Sequence, residues 1–313
     1  MNGLLDARSS PTLRSSCCRY ALALGLGASC VRCSYDIVFS PPITESNAGA
    51  GGAGPIEGSA GSSTLAPGAA GAPPRATLPP GLSWQWQVTG QLDTSLSVDV
   101  FVVDLTETTS DELATLRSKK RLIVCDFSAG TSETWRTDVV ALPPEVLGNV
   151  VTGHSDELWL DIRSTSVRSF MTKRLELALT RGCDAVLPDS IDGYGADTGF
   201  SITKGDSIDY LSFLSREAHA RSLAIGLANA PELVATAEPW FDFEVEVSCL
   251  EYDECDRYRP FLAANKSVLH AELVDAAATS VQELDAICGD PRRAEFATIV
   301  KTPQLGAWRQ GCE

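Results

Sequence analysis

Residues 182–192, GCDAVLPDSID, constrain the fold more than any other part of the sequence. The short apolar run Ala185 to Leu187 ends at a proline, which is typical of a fully buried strand. Asp189 follows at the carboxyl end of that strand, where α/β enzymes hold their catalytic groups. Asp189 is therefore the first candidate for a catalytic residue. The alternative is an aspartate that caps the following loop.

Similar apolar runs recur along the C-terminal part of the chain, with helical patterns between most of them. Buried runs that alternate with helices favour a closed barrel over an open sheet. The segment 82–313 has about the usual size of a (β/α)8 barrel, ~250 residues. We therefore predict an α/β fold with a single (β/α)8 TIM-type barrel over 82–313. The predicted strands are 98–105, 122–127, 158–162, 185–187, 224–227, 243–247, 268–273 and 296–300.

The strand ends of such a barrel face one mouth, so the residues there are candidates for chemistry. A set of carboxylates suits cleavage of a glycosidic bond, because one acid protonates the leaving oxygen and another attacks or activates water. The alternative for each acid is a helix cap or an ion pair with Arg163 or Arg174. The predicted strand ends carry Asp104, Asp126, Asp161, Asp189, Asn229, Glu246 or Val247, Glu272 and Lys301.

The first 81 residues differ in composition from the rest of the chain. Residues 1–35 combine basic residues with a short apolar run, which is typical of an export signal and too short to span a bilayer. The run ends in LGASC, which resembles a bacterial lipobox, so a lipid anchor at Cys30 and simple secretion both stay open. Residues 36–81 are rich in Gly, Ala, Ser and Pro and predict a disordered linker. Either reading predicts an extracellular or cell-envelope protein.

Charge and motif content argue against several functions. Residues 1–35 carry a net charge of +3, so the formal charge falls from −16 to −19 without them. An acidic surface argues against nucleic acid and suits a cationic or amino-sugar polysaccharide. His154, His219 and His270 form no HExxH pair and no close Cys/His spacing, so we predict no metal site and no cofactor. We expect a monomer.

The even number of cysteines in the folded region fits disulfides in an exported protein. Cys249 and Cys255 are close enough to staple the loop after a strand, and Cys288 with Cys312 would tie the tail to the last helix. Cys125 and Cys183 either pair or stay as buried thiols.

Many short motifs along residues 82–273 resemble, in order, those of glycoside hydrolase family 114, the endo-α-1,4-polygalactosaminidases. Residues 182–192 are similar to the family signature G-C-D-G-V-E-P-D-N-x-D. Further resemblances are WQWQ at 84–87, VDL at 103–105, Cys125 with SAGT at 128–131, WR at 135–136, WLDIR at 159–163, RL at 174–175, DTGF at 197–200, AHAR at 218–221, GL at 226–227, Asn229, FDF at 241–243 and Cys249 to Cys255.

The resemblance implies an exported glycoside hydrolase that acts on an α-1,4-linked galactosamine-type polysaccharide. Asp189 is then the nucleophile or base, and Glu246 or Glu272 is the predicted proton donor. The predicted substrate-binding residues are Asp104, Asp126, Trp135, Asp161, Arg163, Asp192, Tyr194 and Asn229.

The sequence departs from the family pattern at the mouth. Val247 stands where the family has a glutamate, and Glu246 lies one residue earlier, which turns its side chain to the other face unless a bulge intervenes. Leu187, Ser190 and Ala228 replace further polar positions. The alternatives are therefore a catalytically inactive barrel that binds glycan, and a purely structural envelope protein.

Overall fold

The described domain is built around a sheet of eight parallel strands. The computed structural model describes residues 74–312 and, before them, only the paired strands Pro11–Thr12 and Val38–Phe39. Apart from Pro11–Thr12, the predicted export signal lies outside the described residues, and so does Cys30. We number the parallel strands 1 to 8 along the chain: Trp84–Gln87, Val100–Asp104, Leu122–Ser128, Ala185–Asp189, Ala224–Ala228, Phe243–Val247, Val268–Leu273 and Ala297–Lys301.

The sheet curls into a TIM-type barrel, which confirms the predicted fold class. Consecutive strands pair in parallel in chain order. Because strand side chains alternate, one set fills the barrel and the other set packs on the helices outside. Trp86, Val102 and Leu187 belong to the interior set, whereas Phe101 and Val186 belong to the outer core with the helices.

Helices connect the strands and form the outer layer. Helix 110–118 begins after Thr109 and helix 281–289 after Ser280, each with a complete capping box. No helix in residues 74–312 is long and apolar enough to cross a membrane. The α-helices are Ser110–Ser118, Thr165–Arg181, Lys204–Ala220, Val234–Ala237, Cys249–Tyr252, Arg259–Ala263 and Val281–Gly289.

One predicted barrel strand was wrong. Residues 158–162 do not join the barrel, because strand His154–Leu160 pairs antiparallel with Thr131–Glu133 and Leu147–Val151 in a separate sheet. This three-stranded sheet, which we call the mouth sheet, is inserted between strand 3 and helix Thr165–Arg181. The missing barrel strand is Trp84–Gln87, all four of whose residues are buried.

Strands 1 and 8 meet through side chains and through the tail, residues 304–311. Together these contacts form the seam of the barrel. Trp84 Nε1 donates to the Ala297 carbonyl at 2.7 Å, and Gln85 Nε2 donates to the Ala307 carbonyl at 3.0 Å. The fully buried Lys301 donates from Nζ to Gln85 Oε1 at 3.1 Å and to the carbonyl of Gly306 at 2.6 Å. Burial, with the nearby charge of Arg309, lowers the pKa of Lys301 to about 7.

Disulfides and the domain start complete the fold. Cys249 pairs with Cys255 and Cys288 with Cys312, which confirms both predictions, and Cys125 pairs with Cys183, which decides the open case. Described residues before the predicted boundary at residue 82 also contact the barrel. Leu78 is buried in the barrel core, and its carbonyl accepts the N–H of Ser267 at 2.7 Å.

Candidate active site

Three aspartates face the barrel mouth from neighbouring strands. Asp104, Asp126 and Asp189 continue the interior-facing alternation of strands 2, 3 and 4, after Val102, Val124 and Leu187 respectively. All three carboxylates are more than nine-tenths buried. Strand direction and alternation therefore bring together three of the acids that the sequence predicted for the mouth.

A sharp turn holds Asp189 at the end of strand 4. The N–H of Ser190 donates to Asp189 Oδ1 at 2.6 Å, and Ser190 itself adopts a left-handed backbone with φ of 60°. The N–H groups of Ala129 and Gly130 donate to the Asp189 carbonyl at 2.8 and 3.2 Å. A Cβ on Gly130 would lie 1.7 Å from the Ser190 carbonyl oxygen, so only glycine allows the two loops to approach this closely.

Asp126 is placed to carry a proton. Burial raises its pKa well above the ordinary aspartate range, and the charges of Asp189 and Asp104 add to that rise. The indole Nε1 of Trp86 donates to Asp126 Oδ2 at 3.1 Å and fixes the side chain inside the barrel. Burial and the neighbouring charges both favour the protonated carboxyl beside Asp189, the form that general acid chemistry requires.

Asp104 is instead held in its ionised form by Arg136. Burial alone would raise the Asp104 pKa, but the hydrogen bonds and charge of Arg136, helped by backbone N–H groups, hold it below the ordinary value. Arg136 Nη2 lies 2.7 Å from Asp104 Oδ2 and 3.0 Å from Glu133 Oε1. One guanidinium therefore joins a barrel strand to the mouth sheet.

Removal of Arg136 should destabilise the folded protein strongly. Arg136→Met leaves Asp104 and Glu133 buried without a counter-charge, which typically costs about 3 to 5 kcal/mol. Urea unfolding should show this loss, whereas Arg163→Met, which breaks the half-exposed pair with Asp161, should cost about 1 kcal/mol or less. Equal losses in the two variants would contradict this role of Arg136.

The other half of the mouth is apolar. Strands 5, 6 and 7 present Ala228, Val247 and Ala271 to the barrel interior. Asn229, a predicted substrate ligand, is buried with φ of 53°, and its Oδ1 accepts the Val247 N–H at 3.0 Å. Asn229 therefore fixes the end of strand 6. The acids of the mouth come from strands 2, 3 and 4.

Glu246 and Glu272 are not part of the mouth, contrary to their prediction as proton donors. Val245 and Val247 face the interior, so strand alternation directs Glu246 to the outer side of the sheet. Its carboxylate lies 3.1 Å from His270 Nε2, and Glu272 Oε1 lies 2.8 Å from the same nitrogen. No bulge restores Glu246 to the interior, because strands 6 and 7 pair in continuous register from Glu244 to Val247.

The remaining predicted residues lie near the mouth but have other partners. Asp161 follows the mouth sheet rather than a barrel strand, and it binds Arg163 at 2.8 and 3.0 Å. Trp135 is half-buried beside Arg136. Asp192 and Tyr194 lie partly buried just after strand 4, and burial, followed by Glu232 and Asp192, raises the Tyr194 pKa.

Arg136 and Trp86 contact the mouth aspartates, and the sequence predicted neither contact. Both lie in motifs of the family resemblance, but their partners Asp104 and Asp126 are 32 and 40 residues away. A local pattern gives no sign of such a contact. The adjacent residues Trp135 and Arg136, which form one of the family motifs, were the feature of the sequence that could have drawn attention to Arg136.

Buried carboxyls at the mouth of a TIM-type barrel, with pKa values shifted in opposite directions, are the arrangement that carboxylate glycoside hydrolases use. Residues 65–313 match glycoside-hydrolase family GH114. The chain belongs to this family and is a glycoside hydrolase by that membership. Comparison with curated proteins finds no match.

Solved structures agree with this assignment. The chain is similar to Aspergillus fumigatus Ega3, solved in complex with galactosamine, with 33% identity, a TM-score of 0.73, and coverage of 77% of this chain and 99% of that chain. The glycoside hydrolase domain of PelA from Pseudomonas aeruginosa shares the fold at 12% identity and a TM-score of 0.59, covering 74% of this chain and 98% of that one. The α-galactosidase TtGalA from Thermus thermophilus also shares the fold, with 13% identity and a TM-score of 0.51. That match covers 74% of this chain and 60% of that chain.

Proposed function

We propose that this chain hydrolyses α-1,4-linked galactosamine-type polysaccharide, with Asp189 as nucleophile or base and Asp126 as proton donor. The observation that carries the proposal is the electrostatic split at the mouth. Burial and two neighbouring aspartates raise the pKa of Asp126, while Arg136 lowers the pKa of Asp104. Carboxyls pushed toward opposite protonation states are the arrangement that glycosidic cleavage uses.

Each residue has a defined part in this mechanism. Asp126 gives its proton to the leaving oxygen, and Asp189 attacks the anomeric carbon or activates a water for that attack. Asp104 contributes a fixed negative charge that stabilises the positive charge developing on the sugar ring in the transition state. Arg136 is a positioning residue because it fixes the Asp104 carboxylate.

The substrate class rests on relatedness and charge. Ega3, 33% identical, was solved with galactosamine. Free amino groups make a galactosamine polymer cationic, and the chain has a formal net charge of −16. Attraction between an acidic protein and a cationic polymer raises the rate of encounter and weakens with salt.

A binding protein without catalysis is the second candidate, and Val247 favours it. Val247 faces the barrel interior at the position of the family's glutamate, so the apolar half of the mouth offers no acid. In that case the chain would bind oligogalactosamine without cleaving it. General acid catalysis is typically worth ~10² to 10⁴ in rate, so the two candidates differ measurably.

Val247→Glu distinguishes the two candidates. If Asp126 supplies the proton, the natural full-length protein cleaves oligogalactosamine, and Val247→Glu raises the rate less than about tenfold, well under the worth of a new general acid. Cleavage is measured as reducing ends released per minute. Val247→Gln is the control, because glutamine has the shape of glutamate without its acid group. The second candidate is correct if the natural protein binds without cleaving and Val247→Glu alone raises the cleavage rate at least about 10²-fold.

We propose further that the protein is exported, and that Cys30 is its lipid anchor. Three disulfides in the described part of the chain are typical of proteins that fold in an oxidising compartment. Cys30→Ala should move the protein from the membrane fraction to the soluble exported fraction, because lipid chains supply the membrane affinity. Cys33→Ala is the matched control. Unchanged membrane association of Cys30→Ala would contradict the anchor.

A further inference from the structure

A buried acidic cluster lies on the outer face of the sheet, away from the mouth. Glu246 on strand 6 stands directly opposite His270 on strand 7, and Glu272 follows two residues later on the same face as His270. Glu246 and His270 are fully buried, and Glu272 is 5% exposed. Two paired strands therefore hold these side chains in a rigid frame. The proposed hydrolysis uses none of them.

The imidazole ring is oriented toward both carboxylates. His270 Nδ1 lies 3.0 Å from Thr298 Oγ1, which fixes the ring from the side of strand 8. His270 Nε2 then lies 2.8 Å from Glu272 Oε1 and 3.1 Å from Glu246 Oε1. A histidine that binds metal through one ring nitrogen commonly has its other nitrogen fixed by a polar partner in this way.

The buried carboxylate of Glu246 is the feature that points to a ligand. Both of its carboxylate oxygens are buried, and neither has a hydrogen-bond partner. The nearest donors are His270 Nε2, 3.1 Å from Oε1, and the Cys249 N–H, and neither is aligned for a full hydrogen bond with the carboxylate. A proton on His270 Nε2 forms its hydrogen bond with Glu272, which leaves Glu246 without a partner. A cation between the three groups would satisfy all of them at once.

We propose that Glu246, His270 and Glu272 bind a divalent transition-metal ion of the zinc class. One imidazole nitrogen and two carboxylates form a ligand set that zinc and cobalt accept. The candidate ligand atoms, with Cys249 Sγ, all lie within 4.8 Å of one another, so shifts of a few tenths of an ångström give metal–ligand bonds of ~2.0 to 2.2 Å. Cys249 is not a thiolate ligand because it is paired with Cys255, so the protein supplies three ligands.

Such an ion would have a structural role. It would tie strands 6 and 7 to helix Cys249–Tyr252, because the Leu250 N–H donates to Glu272 Oε1 at 2.8 Å. The cluster lies behind Val247, whose side chain faces the barrel interior. Metal binding should therefore stabilise the wall of the mouth and raise Tm.

Cobalt binding tests the proposal. The full chain, with Cys17, Cys18, Cys30 and Cys33 replaced by serine so that they bind no metal, is stripped with EDTA and titrated with Co²⁺ and then Zn²⁺. We expect one ion per chain by equilibrium dialysis, visible d–d absorption of low-coordinate cobalt, its loss on adding Zn²⁺, and a higher Tm with Zn²⁺. Absence of stoichiometric binding and of the cobalt spectrum would overturn the proposal.

Substitutions locate the site. Glu246→Gln and His270→Gln should weaken cobalt binding at least tenfold, and Thr298→Val about 10- to 100-fold through loss of ring orientation. Glu244→Gln is the matched control, because Glu244 is equally buried on the same face of the same strand but lies outside the ligand set. Equal binding by Glu246→Gln and Glu244→Gln would overturn the assignment. If Glu246→Gln does not fold, the spectrum of the parent chain and Thr298→Val still decide.

Discussion

Full-length protein carrying Asp189→Asn is expected to cleave oligogalactosamine about 10⁴-fold more slowly than the natural chain, the upper end of what one acid–base group contributes. The amide keeps the size of the carboxylate and its contact with the Ser190 N–H at Oδ1, but it cannot attack carbon or accept a proton. Because the change is nearly isosteric, binding of the oligosaccharide should persist. Release of reducing ends measures cleavage, and calorimetry measures binding.

Asp197→Asn is the control for this experiment. Asp197 is an exposed acid on the loop that follows strand 4, and its Oδ1 accepts from Asn149 Nδ2 at 2.9 Å. Asp197→Asn removes the same charge from the loop next to Asp189 and leaves the three mouth aspartates in place. Cleavage that survives in Asp189→Asn would overturn the assignment of the whole site.

Asp126→Asn is expected to slow cleavage by about 10² to 10⁴ and to change the pH profile. Burial raises the Asp126 pKa, so the carboxyl stays protonated above the ordinary aspartate range and loses its proton as pH rises through that raised value. Activity of the natural chain should therefore fall on the basic side as Asp126 ionises. That basic limb should be absent from the residual activity of Asp126→Asn.

Two further variants make this prediction specific. Asp184→Asn is the control, because burial also raises the Asp184 pKa, but its carboxylate accepts the Ile123 N–H at the opposite end of the barrel. Its activity should stay within about threefold of the natural chain, since it lies outside the catalytic groups. The double variant Asp126→Asn/Val247→Glu should regain part of the lost rate. An Asp126→Asn protein with full activity and an unchanged profile would contradict the proton-donor role.

Seven of the eight strands of the barrel could be predicted from apolar runs, and the exceptions have physical reasons. Residues 158–160 are apolar and mostly buried, but their partners are the antiparallel strands of the mouth sheet. Periodicity reports burial and does not report which strand lies alongside. Trp84–Gln87 alternates aromatic and amide side chains, which resembles a half-exposed strand, whereas the seam buries Gln85 against Lys301 and the tail.

The site was predictable where it depends on strand ends and alternation. Asp104, Asp126 and Asp189 follow from the direction of parallel strands, and the outward side chain of Glu246 follows from its one-residue offset from Val247. The partners of these residues did not follow, because Arg136 reaches Asp104 from the inserted mouth sheet. Likewise, Glu246 and His270 come together only through strand register.

The seam of the barrel has a consequence for the order in which the chain folds. Its closing contacts join residues separated by 213, 222 and 225 positions, so they form only after nearly the whole domain is available. Until residues 304–311 dock, strands 1 and 8 are open edges, and unpaired edges invite pairing between chains. Ring closure is therefore expected to be the late, aggregation-sensitive step of folding, completed when the tail is covalently fixed to the last helix through Cys288 and Cys312.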